Sequence, residues 1–278
     1  RVRRQRQMCI RDSNVFEIET TENGQTVKKK ILGYSEHDYS MHKPGAVGGA
    51  EVQLELVQPG ELWGFDSDPE ILEVCRNTIE YHNTWTYANS IPKVYAHAAR
   101  TGYDPETLVR HIKALANDPS DNAQNNKMKK NYHIYDGQHG VEKVGLLEGM
   151  NNLMCQSDGG IVKVFPAWPA ARGGKFSNIR EKGAFLLSSE RAAGELPAYV
   201  DVASEKGQPL ELVNPWNGAA VNVTTRSGAA VEVSYGRTRN SGEYTIRFDT
   251  VPGETYHIVR AETETAAAGP FALTLDGG

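Results

Sequence analysis

The chain has few cysteines, no long apolar run and no excess of positive charge, and each lack closes off a class of function. Its three cysteines, Cys9, Cys75 and Cys155, are far apart and odd in number. They match neither a metal-ligand spacing nor the paired framework of a disulfide-rich domain. No apolar stretch approaches the roughly 20 residues that a membrane-spanning helix needs. The formal net charge of −5 implies no basic surface for nucleic acid. Nucleic-acid and membrane partners are therefore not expected. No G-x-S-x-G nucleophile motif occurs, and neither "GQPLEL" nor "AARGGK" resembles a phosphate loop that opens a helix, so no cofactor is expected.

What is there reads as an ordinary globular protein. Charged residues make up 23% and apolar ones 39% of 278 residues, enough to bury a core and more in keeping with two domains than one. The first thirteen residues, "RVRRQRQMCIRDS", hold five arginines and one acid and lack the apolar centre of a signal peptide. A basic nucleic-acid arm is the alternative, but "QMCIRDS" resembles translated sequencing-adapter read-through. On that reading residues 1–13 are a non-native extension with few buried contacts, and the natural gene continues upstream.

From 14 to 66 the chain reads as strand-like and irregular: "VFEIET" and "AEVQLELV" alternate, "TENG" is a turn, and "YSEHDYSMHKPGAVGG" is a loop. Four helices are predicted next. The first has Asp68 as cap and Pro69 at its first position, with Ile71, Cys75 and Ile79 as its buried stripe. The second runs from about Asn89 to Arg100, and Gly102 stops it. The third opens on "DPET" and aligns Leu108, Ile112 and Leu115. The fourth covers Val141 to Cys155, its apolar face centred near Leu147 and Met150 and Glu148 turned to solvent. Short links between successive helices predict an all-α layer. After Gly160, eight short alternating strands separated by turn residues predict an antiparallel β-sandwich, with Phe165 and Trp168 of "FPAWP" packing at the domain seam. The last residues, 263–278, read as a flexible tail.

The chemistry concentrates in "NYHIYDGQHGVEKVGLLEGMNNLMCQSDGG". Asp136 sits in an Asp-Gly turn pair, which a side chain bonding its own backbone also explains. Glu142 lies in the first helical turn, where backbone N–H groups keep a carboxylate ionised and also stabilise the helix. His133, Tyr135, Gln138 and His139 crowd the same loop, supplying ring faces and hydrogen-bonding groups of the kind that hold a sugar. His37 and His42 belong to a second polar loop that could face the same pocket. Neither histidine pair has a metal-site spacing, so no metal is expected.

Three quoted stretches, "GVEKVGLLEGMNNLMCQSDGGIVKVFPAWP", "FSNIREKGAFLLSSE" and "LVNPW", resemble the glycoside hydrolase family 95-like proteins, as do "LWGFDSDPEILEVCRNTI" and "ARTGYDPETL". The resemblance spans about residues 55–260. It implies a multi-domain, mainly helical (α/α) toroid fragment over 14–160, followed by an antiparallel β-sandwich over 161–262. It also implies inverting acid–base removal of a terminal α-L-fucose, α-L-galactose or similar sugar from an oligosaccharide or polysaccharide. The intact parent would act in the periplasm or outside the cell, with the cytoplasm as the alternative. The family's base aspartate lies in an Asp-Gly-Asn segment. Here "YDGQHG" makes Asp136 the match with Gln138 in place of the asparagine, whereas counting back from Gln156 favours Glu142. Both registers stay open. The family's general acid is expected upstream of this chain. The competing readings are a polysaccharide lyase, with Tyr132, His133, Tyr135 or His139 moving the proton, and a non-catalytic carbohydrate-binding or structural module.

Overall fold

The computed structural model describes residues 15–33, 52–86, 90–117 and 141–261. The chain divides into two compact units, one comprising residues up to 160 with 165–170 and 239–242, the other comprising 161–164, 171–238 and the residues from 243. The predicted loop at 34–49, the N-terminal extension 1–13 and the tail 263–278 lie outside the described residues.

The first unit opens with a hairpin, β1 (Val15–Glu22) and β2 (Gln25–Leu32), paired antiparallel from Val15↔Leu32 to Glu22↔Gln25. Asn23 and Gly24 turn the chain with φ of 50° and 79°, the left-handed pair that a two-residue hairpin loop demands. Ile18, Ile31 and Leu32 are buried. Helix α1 (Pro69–His82) starts where Asp68 accepts the Glu70 N–H at 2.8 Å and ends on Asn83 in the left-handed region, φ 49°. Its side facing the hairpin gives Thr78 Oγ1 as acceptor to Leu32 N–H at 2.9 Å. Lys30 pairs with Glu70 at 2.7 Å and Lys29 with Glu80 at 3.1 Å; the first pair is well solvated and contributes little. Between hairpin and helix, "AEVQLELV" does not form the strand its alternation predicts. Val52–Leu54 is a single 3₁₀ turn that drops Leu54 and Val57 into the core.

Helix α2 (Ile91–Arg100) is short and rich in small residues. Helix α3 (Pro105–Asn117) is capped by Asp104, whose Oδ2 accepts the Thr107 N–H at 2.8 Å. Helix α4 (Val141–Met154) passes without a loop into β3 (Cys155–Asp158). The face α4 buries is not the predicted one. Leu147 and Met150 are 59% and 45% exposed, whereas Gly145, Leu146, Gly149, Asn152 and Leu153 are buried. Glycine carries no hydropathy signal, yet it allows close approach: a Cβ added at Gly149 would sit 2.5 Å from Tyr95 Cβ on α2. Glu148, expected in solvent, is half-buried and accepts from Asn152 Nδ2 at 2.9 Å.

The second unit is built of strands: β4 (Ile161–Val164), β5 (Gly174–Glu181), β6 (Phe185–Arg191), β7 (Tyr199–Ser204), β8 (Leu210–Val213), β9 (Val221–Thr225), β10 (Ser234–Arg237), β11 (Tyr244–Phe248) and β12 (Thr255–Arg260). Alternation sorts their side chains. Leu187, Val200, Val202, Val223 and Ile258 are buried from one sheet, and Val162, Leu210, Leu212 and Ile246 from the other. Phe248 and Tyr256 meet between the two, with ring centroids 5.2 Å apart. Residues 174–181, "GKFSNIRE", form strand β5 with a bulge between Phe176 and Ile179. "AAVEVSY" contributes only its end to a strand.

Among the described residues, the strands order as β1-β2, β10-β11-β8-β4-β3 and β5-β6-β7-β12-β9. Two five-stranded sheets and a hairpin against four helices of 10 to 14 residues make this a mainly β structure. That overturns the predicted mainly helical toroid. A ring of paired helices needs each helix to bury faces on two neighbours. The described part of 14–160 offers a β-hairpin and a turn-rich segment in their place, and α4 leaves Leu147 and Met150 in solvent. The predicted all-antiparallel arrangement also fails at one pair, because β4 runs parallel to β8, Ile161↔Glu211 and Val162↔Leu212.

Candidate functional site

Most of the predicted site lies outside the described residues: Asp136, His133, Tyr135, Gln138 and His139 in one loop, His37 and His42 in the other. Glu142 is the second residue of α4; its backbone is described and its side chain is not. What the structure describes is the helix that follows Gly140 in sequence and the groups that hold it.

The frame is polar and buried at the end of α4 away from Glu142. Arg100, the last residue of α2, donates from Nη1 to Asn152 Oδ1 at 3.1 Å and from Nη2 to the Ser157 carbonyl at 2.9 Å. Gln156 donates from Nε2 to the carbonyls of Ala99 and Asn152 at 3.0 and 2.7 Å. A guanidinium removed from water needs oxygens for its donors, and here a side-chain amide and a carbonyl meet Nη1 and Nη2. With the glycine contact on Tyr95, these bonds fix the axis of α4 and with it the direction in which its first turn points. The Gln-Ser pair of "QSDGG" thus sits in strand β3 as scaffold.

Two buried carboxylates lie close together nearby. Asp158 Oδ2 accepts the Asp66 N–H at 3.1 Å, and a Cβ added at Gly64 would sit 2.7 Å from Asp158 Cγ. Asp66 itself accepts the N–H groups of Arg239, Asn240 and Ser241 at 3.0, 3.0 and 2.8 Å and the Ser241 hydroxyl at 3.1 Å. Asn240 Nδ2 bonds the Asp66 carbonyl as well. Burial alone would push the Asp66 carboxyl up; the bonds from Ser241, Asn240 and Arg239 outweigh it and hold the group below the usual carboxylate range. A carboxylate so engaged is a clamp for the 239–242 loop and has no proton to offer a leaving group.

The described histidines of this unit, His82, His97 and His111, are also engaged. His97 donates from Nε2 to the Gln58 carbonyl at 2.8 Å, and His82 meets Gln53 Nε2 at 2.6 Å. His111 stacks on Trp85 at 4.3 Å; burial, then Arg110, holds it below the ordinary histidine range and so neutral. Trp63, Trp85 and Trp216 are buried and offer no open sugar platform. No cluster of three or more metal-binding side chains occurs among the described residues. Cys75 and Cys155 are buried free thiols, and burial pushes Cys75 up to about 12. With a thiolate fraction on the order of 10⁻⁵ at pH 7, Cys75 is expected to resist a thiol reagent in the folded chain and to label once unfolded. Peptide mapping by mass spectrometry reads this directly, and rapid labelling of native Cys75 would contradict its placement.

The second unit carries a polar group that the sequence reading passed over. On the sheet containing β7 and β12, His257 Nδ1 lies 2.6 Å from Asp201 Oδ1, and the two residues are register partners. "AYVDVASE" and "TYHIV" place Asp201 and His257 at outward positions of their strands. Alternation alone would have revealed that much; only the register brings them together.

No family model matches the chain, and no curated protein is similar to it in sequence. Among solved structures it is similar to Ara127N-Se, a GH127 β-L-arabinofuranosidase from Geobacillus stearothermophilus T6, at 11% identity and a TM-score of 0.25, over 69% of this chain and 31% of that one. The chain spans about a third of that enzyme's length, and a likeness this slight assigns neither fold nor activity.

Proposed function

We propose that the chain takes part in inverting hydrolysis of a terminal sugar, α-L-fucose, α-L-galactose or a related residue, from a glycan. The base is Asp136 or Glu142, and His133, Tyr135, Gln138 and His139 form the sugar-facing wall, with His37 and His42 opposite. The observation that carries the reading is the run from the loop through α4 into β3. An acid, a tyrosine and histidines precede a helix whose first turn holds Glu142, and that helix is clamped at its far end by Arg100 and Gln156. Backbone N–H groups at a helix start favour an ionised carboxylate, the state a base needs to take a proton from water. The sequence resemblance quoted above supplies the substrate class.

The test is release of free sugar by the intact parent protein from α-L-fucosyl, α-L-galactosyl and arabinosyl oligosaccharides, followed by chromatography, with the anomer first formed read by NMR. Free sugar of inverted configuration is expected. A product with the ultraviolet absorbance of a new double bond would replace this reading by the lyase one. Absence of any released sugar from the three substrates would overturn it.

A further inference from the structure

The outward face of the sheet β5-β6-β7-β12-β9 holds a cleft of about 360 Å³, and we propose that it binds a neutral sugar residue. This inference stands apart from the hydrolytic reading, since it concerns the second unit alone.

Strand register sets out the site. Ser188, Asp201, His257 and Thr224 lie side by side on four neighbouring strands, Ser188↔Asp201, Asp201↔His257 and His257↔Thr224. One step along, Leu186, Ala203 and Thr255 form the adjoining row. The bulge in β5 puts Asn178 in the left-handed region, φ 56°, where its N–H donates to Ser188 Oγ at 3.0 Å. A bulge re-aims a side chain, and here the re-aimed residue lines the cleft. Tyr199 stacks on His257 with centroids 5.8 Å apart and braces the imidazole.

The order of groups rules out nucleophilic catalysis. Asp201 stands between Ser188 and His257, so the imidazole is not placed to take a proton from the hydroxyl, as a triad requires. What remains is recognition. The 2.6 Å contact between His257 Nδ1 and Asp201 Oδ1 fixes the imidazole and keeps its Nε2 edge as a further hydrogen-bonding group. The carboxylate accepts, Thr255 carries a hydroxyl in the same outward row, and Arg226 lines the cleft as a donor. Leu186 and Ala203 give the cleft an apolar patch. Acceptors and donors around a small apolar patch match a sugar ring, which shows hydroxyls at its edge and C–H groups on its face. Asp201 and Arg226 bring opposite charges, which favours a neutral ligand over a uronate or a phosphate. The volume is near the lower end of the roughly 300–1,000 Å³ typical of ligand sites, suited to one or two rings.

The experiment is amide chemical-shift mapping of the chain titrated with L-fucose, D-galactose and L-arabinose, with D-galacturonate and inorganic phosphate as charged probes. A neutral sugar is expected to shift the amides of Asn178, Ser188, Asp201 and His257 at millimolar concentration. Asp201→Ala and His257→Ala, whose side chains are about half exposed, are expected to leave thermal unfolding unchanged and to weaken binding at least about ten-fold. Three outcomes would overturn the proposal: no shift with any neutral sugar, a stronger response to galacturonate or phosphate, or undiminished binding in Asp201→Ala. A response confined to α4 would also overturn it while leaving the hydrolytic reading in place.

Discussion

Asp66→Ala is expected to cost the first unit about 3 kcal/mol, the scale set by losing several hydrogen bonds to one charged acceptor. The substitution removes the partner of three backbone N–H groups and a hydroxyl in the 239–242 loop. Arg239, Asn240 and Ser241 are exposed, so water replaces part of what is lost and the penalty stays below that of a sealed core. Asp66→Asn keeps one acceptor oxygen and turns an NH₂ group toward the same donors, so it should fall between wild type and alanine. The pH dependence follows from the lowered folded-state pKa. The contribution of Asp66 is complete above the ordinary aspartate value, about 3.9, and is lost as pH falls through the lower folded value. Urea unfolding of wild type and Asp66→Ala should therefore differ fully at neutral pH and converge in strong acid. Equal stability at neutral pH would show that the loop does not depend on the clamp.

Gly149→Ala is expected to destabilise the chain by about 1–3 kcal/mol, the usual range for overpacking. In a solvent-facing helix the same change would gain about 1 kcal/mol from propensity, so the sign itself is the test. An added Cβ would stand 2.5 Å from Tyr95 Cβ and 3.3 Å from the Tyr95 carbonyl carbon. Tyr95 cannot yield easily, for it is fully buried and its hydroxyl donates to the Trp85 carbonyl at 3.0 Å. The two helices must separate instead, loosening Leu146 and Leu153 from the core. Leu147→Ala and Met150→Ala supply the contrast: both side chains are largely in solvent, and each change should stay within about 0.5 kcal/mol. Large losses at Leu147 and Met150 with none at Gly149 would mean that α4 buries the face its hydropathy predicts.

That helix shows where the sequence was legible. Cap chemistry placed two helix starts closely, Asp68-Pro69 and Asp104-Pro105. Asn23-Gly24 likewise marked its turn. The buried stripe of Ile71, Cys75 and Ile79 was readable too, because β-branched and thiol side chains carry a hydropathy signal. The buried face of α4 was not, because Gly145 and Gly149 define it by what they lack. β3 was hidden for a related reason: "CQSD" is polar, and it is buried by bonds from Gln156 and Asp158 that no periodicity anticipates. β5 was obscured by its bulge, which breaks the alternation at Asn178. Short links between helices predict helix layers, but link length constrains neighbours only and does not say what covers the far side. For the sites, residue types marked the loop around Asp136, while the Asp201–His257 pair required a register that the sequence does not carry.

The most direct test of the hydrolytic account is sugar release by the Asp136→Asn and Glu142→Gln variants of the intact parent protein beside its wild type, on whichever of the three substrates it cleaves. One of the two variants is expected to lose about 10²–10⁴-fold in kcat, the range for removing a general base, with little change in KM and with normal thermal unfolding. The other should stay within a few-fold of wild type, which decides between the two registers. Full activity in both variants would contradict the placement of the base and return the loop to a polar turn before a well-anchored helix.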